Sequence, residues 1–235
     1  MSENKISVII PAFNAAKTIE ACLSSVFNST YKNIEVIVVN DGSTDDLALA
    51  LTSCAHKLTL FDQENKGAPA ARNFGFKFSS GEFVIFLDAD IVMKPTMLEK
   101  LFLALKADPT ATFAYSSFRL GWKKFRLWPF DAEKLKQMPY IHTSSLIRRE
   151  AFPGFDESLK KFQDWDLFLM MAERGGRGAF VSEVLFKIIS GGTMSHWLPS
   201  FIYRLPWLKL KEKDKYETAR EIIINKHKLG IKNNS

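Results

Sequence analysis

The sequence predicts an α/β domain built on a mostly parallel sheet flanked by helices. Short apolar, β-branched runs alternate with segments of helical spacing, the order expected of βαβ units. Several runs stop on polar, chemistry-bearing residues, as strands of open α/β sheets do at a ligand crevice. The chain has 235 residues, 46% hydrophobic and 25% charged. That suffices for one such domain with a substantial core, is short for two, and does not fit a disordered chain.

Ile6 to Pro11 is a first strand, stopped by proline. Asn14 then stands where it can cap a helix carrying Ile19, Leu23, Val26 and Phe27. Glu35 to Asn40 is a second strand, followed by the turn formers Asp41-Gly42-Ser43-Thr44-Asp45, with Asp45 the expected cap of a helix over Leu47 to Ala55. Leu58 to Phe61 is a third strand, and Ala70 to Phe78 a helix entered through Pro69. Phe83 to Leu87 reads as a strand buried on both faces. It ends on Asp88-Ala89-Asp90, ahead of a helix with Leu98, Leu101, Phe102 and Leu105 on one face and a strand at Ala111 to Ser116.

The second half is less regular. Phe118 to Tyr140 is aromatic and basic without a clean period, which predicts a long loop over one sheet edge. Ile141 to Ile147 reads as a strand and Asp164 to Glu173 as a helix. Two short strands are expected at Ala179 to Ser182 and Leu185 to Ile189, before a turn at Ser190 to Thr193.

Cys22 and Cys54 match no zinc or redox spacing and suggest a reducing, cytoplasmic setting. Met1 to Lys5 leads straight into a strand without a signal-peptide pattern, and no apolar run reaches the ~18 residues of a membrane span. The net charge of +6 sits mostly in Tyr203 to Ser235, where nine Lys or Arg face four acids. A basic tail behind a near-neutral body suits an anionic membrane better than nucleic acid. The aromatic Trp197 to Leu208 stretch, followed by Lys209, Lys211, Lys213 and Lys215, supports peripheral contact through that tail.

Asp88 and Asp90 lie two apart on an extended backbone and therefore project to the same side. A carboxylate on a buried strand end is costly unless paired or metal-bound, and oxygen-only ligands suit Mg²⁺ or Mn²⁺ carrying phosphates. The strand ends at Pro11 to Asn14, Asp41 to Asp45, Lys66 with Arg72, and Asp88 with Asp90 converge on one crevice in a doubly wound sheet. Carboxylates for base and ribose, cations for phosphate and a metal for pyrophosphate fit a nucleoside diphosphate. A G-x-G-x-x-G after the first strand and a P-loop are both absent, which sets aside dinucleotide and P-loop readings.

With these segments in this order, the chain resembles the inverting family 2 glycosyltransferases of GT-A (Rossmann-like) fold, over roughly residues 6 to 190. Val8 to Asn14 is similar to the family's opening strand, which brings Pro11, Ala12 and Asn14 to the donor nucleotide. Val38 to Asp45 resembles the nucleotide-binding segment, with Asp41 at the base. Asn65 to Asn73 resembles the segment that brings Lys66 and Arg72 toward the diphosphate. Asp88-Ala89-Asp90 matches the D-x-D, implying Asp90 as metal ligand and Asp88 at ribose or metal-bound water. Gly154 to Glu157 and Gln163 to Asp166 are similar to the acceptor-side stretch, implying Asp164 as catalytic base. His196 matches a late histidine that reaches the metal in some similar enzymes.

The resemblance implies a UDP-sugar donor, an Mn²⁺ or Mg²⁺ cofactor and a saccharide, lipid-linked or protein acceptor, as in cell-envelope polysaccharide, lipid-linked oligosaccharide or glycoprotein assembly. It divides the chain into a transferase domain at 1–196, with a nucleotide half at 1–117 and an acceptor half at 118–196, and a tail at 197–235. The family's acid before the base is replaced by Gln163, and the Q-x-x-R-W of processive members is missing, so single addition is expected. A sugar-phosphate nucleotidyltransferase would want a Gly-rich loop after the first strand, and a non-catalytic nucleotide-sugar binder would not need Asp90, Arg72 and Asp164. His142 is expected to be structural, His56 and His227 superficial, and Asp166 a first-turn acid complementing a helix dipole.

Overall fold

The computed structural model describes residues 4–189 and 211–230, which leaves His196 and Trp197 to Leu208 outside the described residues. A mixed sheet runs in the order β3-β2-β1-β4-β8-β6-β9-β5, with β7 added onto β6. Its first half is parallel: β3 (Thr59–Gln63), β2 (Ile34–Asp41), β1 (Ile6–Ala12) and β4 (Phe83–Phe86). Beyond β4, β8 (Leu146–Arg148) enters antiparallel and pairs with β6 (Phe113–Leu120). β9 (Gly178–Ile188) lies parallel to β6, and β5 (Ile91–Met93) closes the edge antiparallel to β9.

The inward alternation of strand residues defines two layers. Val8, Ile10, Val36, Val38, Phe83 and Ile85 face α1 (Ile19–Phe27), α2 (Leu47–Leu51) and α4 (Met97–Ala107). Ile9, Val84 and Phe86 face the other way, toward α6 (Gln163–Glu173). α3 (Ala68–Lys77) packs on that second face at Gly75, where a Cβ would stand 2.5 Å from Ile9 Cγ2. The missing side chain lets the helix that carries Arg72 lie close on β1.

Four expectations are corrected. Phe118 to Tyr140 is not a loop: β6 runs on to Leu120, turns at Gly121 (φ +55°), returns as β7 (Lys123–Phe125) and leads to α5 (Ala132–Gln137), capped by Asp131. The strand expected from Ile141 begins only at Leu146. Its first residues bond through their side chains instead, Ser144 Oγ donating to Phe86 O of β4 and Ser145 Oγ locally to His142 O. The two strands expected after Gly178 are one strand, whose register shifts against Ser116 to Phe118. The expected caps also fail. α1 starts at Thr18 rather than Asn14, and α2 is preceded by Asp46 rather than Asp45.

Helix α7 (Lys211–Lys226) packs on α6: Ile223 is fully buried and Tyr216 meets Phe162 edge-on. Lys226 Nζ stands 2.7 Å from Asp166 Oδ1 and 2.6 Å from Asp156 Oδ2. His227 bridges Asp166 and Glu173, each at 2.8 Å. His227 is therefore not superficial, and Asp166, in the first turn of α6 as expected, is 1% exposed and also serves as a buried counter-ion.

Burial pushes the His227 imidazole down, but hydrogen bonds to Asp166 and Glu173 and their charges outweigh it and raise it above the ordinary histidine value. A raised folded value means stability that is complete below the unfolded value and lost as pH rises through the folded one. His227→Gln should therefore lower the melting temperature most at about pH 6, with the deficit closing by about pH 9. A pH-independent deficit in melts across that range would remove the charged histidine from this role.

Candidate active site

A crevice forms where the loops after β1, β2 and β3 are laced together by their own polar groups. Asn14 (φ +50°) donates its backbone N–H to Ser43 Oγ at 3.0 Å and accepts from Thr44 N at 2.8 Å. Asp45 accepts from Ala16 N at 2.8 Å, tying the second loop back to the first. Asp41 is 2% exposed and holds the third loop, accepting from Lys66 N (2.8 Å), Gly67 N (2.8 Å) and Gln63 Nε2 (2.7 Å). Gly42 sits at φ +73°, and a Cβ there would stand 2.8 Å from Asn65 N, so the close approach requires glycine.

The resulting crevice, about 240 Å³, is lined by Pro11, Ala12, Phe13, Asn14, Asp41, Gly67, Asp88 and Asp90, among others. Lys66 meets this group through its backbone, with its side chain exposed. Arg72 lies beneath the crevice, 1% exposed.

Arg72 is the junction of the site. Its Nη2 donates to Asp88 Oδ1 at 2.6 Å and its Nη1 to Gln163 Oε1 at 2.8 Å, while the guanidinium lies 5.1 Å from the Phe155 ring centroid. Burial alone would push the Asp88 carboxyl up, but the Arg72 charge and hydrogen bond, with the His142 ring beside it, hold it below the usual range. Asp90 has no such relief. Burial and the Asp88 charge push it up to about 6. Behind the pair, burial pushes the Cys22 thiol up as well, and its Sγ donates weakly to Asp88 O at 3.7 Å.

On the other side of Arg72, Asp164 opens the first turn of α6 and accepts from Trp165 N at 2.8 Å. Burial raises its carboxyl against the opposing effects of His142, Trp165 N–H and Arg72. It lies at the edge of a second cleft, about 370 Å³, walled by Phe118, Phe125, Leu127, Trp128, Tyr140, His142 and Phe162. Phe162, just before the helix, has left-handed backbone (φ +58°).

Two residues at this junction escape sequence reasoning. Gln163 registers there only as a lost charge, whereas its amide oxygen receives Arg72. His142 reads as structural, yet its Nε2 stands 4.0 Å from Asp88 Oδ2 on the wall of the Asp164 cleft. Its Nδ1 accepts from Ser144 N at 3.1 Å, which leaves the ring proton on Nε2, facing the acids. The His142-Thr143-Ser144-Ser145 run, with hydroxyls able to bond locally, was the available signal.

Among the described residues no three His, Cys, Asp or Glu side chains gather to hold a metal by themselves. The acid pair fits a hard divalent cation in the way such ions use one or two carboxylates and complete their shell with water and phosphate oxygens. The raised Asp90 carboxyl, pressed by the Asp88 charge, is where a cation would relieve most repulsion.

Residues 7–164 match the profile of the family described as "Glycosyl transferase family 2". Glycosyltransferase GlyA of Streptococcus pneumoniae serotype 4 is 40% identical over 103 residues, covering 43% of this chain and 15% of that protein. The chain spans only 15 to 35% of the length of the first curated relatives it matches. Among solved structures, S. aureus TarS 1-349 in complex with UDP-GlcNAc superposes with a TM-score of 0.69 at 20% identity, covering 98% of this chain and 74% of that one. The mannosyltransferase PcManGT from Pyrobaculum calidifontis, in complex with GDP-Man and Mn²⁺, gives 0.66 at 23% identity, covering 83% and 59%. These likenesses bear out the GT-A fold.

Proposed function

Since the chain belongs to glycosyl transferase family 2, we propose that it moves a sugar from a nucleoside diphosphate, most simply UDP, onto an acceptor hydroxyl with inversion. The acceptor would be a saccharide, lipid-linked or protein hydroxyl, reached through the half after residue 117. The observation that carries this reading is the Arg72 bridge. One guanidinium joins Asp88 of the acid pair to Gln163, the neighbour of Asp164, and so spaces a donor crevice against an acceptor cleft.

In this reading Pro11, Ala12, Asn14 and Asp41 shape the nucleotide seat, and Lys66 approaches the phosphates. Asp90, with Asp88 beside it, holds Mn²⁺ or Mg²⁺. Bound there, the ion supplies charge stabilisation to the departing diphosphate. Arg72 keeps Asp88 ionised and oriented, adding positive potential where the leaving group gathers charge. Asp164 takes the acceptor proton, and its raised carboxyl suits it to that task near neutral pH. With one base and no side-chain nucleophile invoked, displacement is single and inverting. His196 as a further metal contact, and a basic membrane-facing tail at a cytoplasmic membrane face, belong to the same proposal and rest on sequence alone; no helix of the described residues is long and apolar enough to cross a membrane.

The test is thermal stabilisation by UDP, GDP, UDP-GlcNAc and GDP-mannose, each with and without Mn²⁺. A ligand at a hundred times its dissociation constant adds about 2.7 kcal/mol, so a clear upward shift is expected with a uridine ligand plus Mn²⁺. Asp90→Asn should remove the metal-dependent part. Absence of any nucleotide-dependent shift in the wild type would overturn the reading.

A further inference from the structure

The β6–β7 hairpin carries an exposed indole and an acid-free run of cations that the transfer chemistry does not use. Its tip is Gly121-Trp122, and Trp122 is 92% exposed. From Phe118 to Phe130 there are four cations, Arg119, Lys123, Lys124 and Arg126, and no acid. All four are exposed, and Arg119 sits directly opposite Lys124 across the hairpin. Like charges in that position destabilise a ladder, and a solvated indole adds nothing to a core. A tip assembled this way costs folding stability unless something anionic and partly apolar meets it.

The hairpin is also firmly built. Phe118 stacks on Phe125 at 4.8 Å and 5°, and on Phe186 of β9 at 5.3 Å and 7°. Phe118, Phe125 and Arg126 belong to the wall of the Asp164 cleft as well. Whatever the tip touches therefore lies beside the mouth of that cleft.

We propose that this hairpin docks the protein on an anionic lipid surface, with Trp122 in the headgroup region and Arg119, Lys123, Lys124 and Arg126 against the lipid charges. Tryptophan with one apolar body and one polar tip favours the membrane interface, and juxtaposed cations add attraction that falls within a Debye length. A flat polyanion would satisfy the cations and leave the indole in water, so the lipid surface accounts for both. The docking stands apart from the transfer reading and from the C-terminal tail. Its consequence for substrate rests on the transfer reading: an acceptor delivered at a bilayer would be lipid-linked.

The experiment is co-sedimentation of the full chain with phosphatidylcholine vesicles, with and without phosphatidylglycerol, at low salt. Trp122→Ala should weaken binding to the anionic vesicles on the order of tenfold. Lys123→Gln with Lys124→Gln should do so by roughly twenty-five-fold, at about fivefold per cation. Retention on heparin should follow the lysines and ignore Trp122. UDP stabilisation of the variants should match the wild type; Trp122→Ala should melt as the wild type does, and the double variant no lower, since it removes the like charge opposite Arg119. Failure of the wild type to bind anionic vesicles, binding unaltered in both variants, or equal loss on heparin and vesicles for Trp122→Ala would each overturn the proposal.

Discussion

Asp164→Asn is expected to reduce sugar transfer by about a thousandfold, within the range that general-base catalysis contributes, while donor and Mn²⁺ binding stay near wild type. The exchange keeps shape and the Trp165 N–H contact within reach of the amide oxygen. It removes a group whose carboxyl burial has already raised, so the ionised form carries a stability cost above the unfolded carboxylate value. The variant should therefore melt no lower than wild type at neutral pH. In the wild type, kcat/KM should fall on the acid side with a midpoint above the ordinary aspartate value of about 3.9. Transfer by the variant at a rate near wild type, measured by product formation from the donor that stabilises the protein, would take the base role from Asp164.

Arg72→Ala should be the most disruptive single change in stability, at about 3 kcal/mol, the lower end for removing one partner of a buried pair. It leaves Asp88 without its cation, leaves Gln163 Oε1 without its donor, and opens space under Phe155. The pH dependence has a definite sign. Asp88 is held below the usual carboxylate range, so its contribution is present above the unfolded value and lost as pH falls through the folded one. The deficit of Arg72→Ala should thus be largest near neutral pH and shrink below about pH 4. Arg72→Lys keeps the charge but not the two-way fork, and should restore part of the stability and less of the activity. Chemical denaturation of the three proteins at both pH values, with transfer assayed alongside, checks this. Equal losses for Ala and Lys, or a deficit independent of pH, would rule out the bridge as described.

Much of the donor half was legible because its signals are local. Buried strands of β-branched residues, a helix entered through Pro69 and an acid pair on a strand end are written in consecutive residues. The caps were misread because Asn14 and Asp45 bond between loops, to Thr44 and Ala16, and such partners carry no spacing signature. The same holds at the junction. Arg72 and Gln163 are far apart in sequence, and nothing near either names the other. Phe118 to Tyr140 was read as loop because its hairpin, dense in cations and aromatics, lacks the polar–apolar alternation by which strands are recognised. His227 looked superficial for a related reason, since only the return of α7 onto α6 brings it against Asp166.

The three protein donors on Asp41 bear on how the site is filled. A carboxylate whose needs are already met by Gln63, Lys66 and Gly67 fixes the shape of its loop before any ligand arrives. The described walls of this crevice are consequently a standing mould rather than one cast around a guest. Little ordering entropy is left for a ligand to offset there. Discrimination among bases would then come from misfit against a fixed outline, with wrong guests refused on arrival instead of being released after a loop has closed around them.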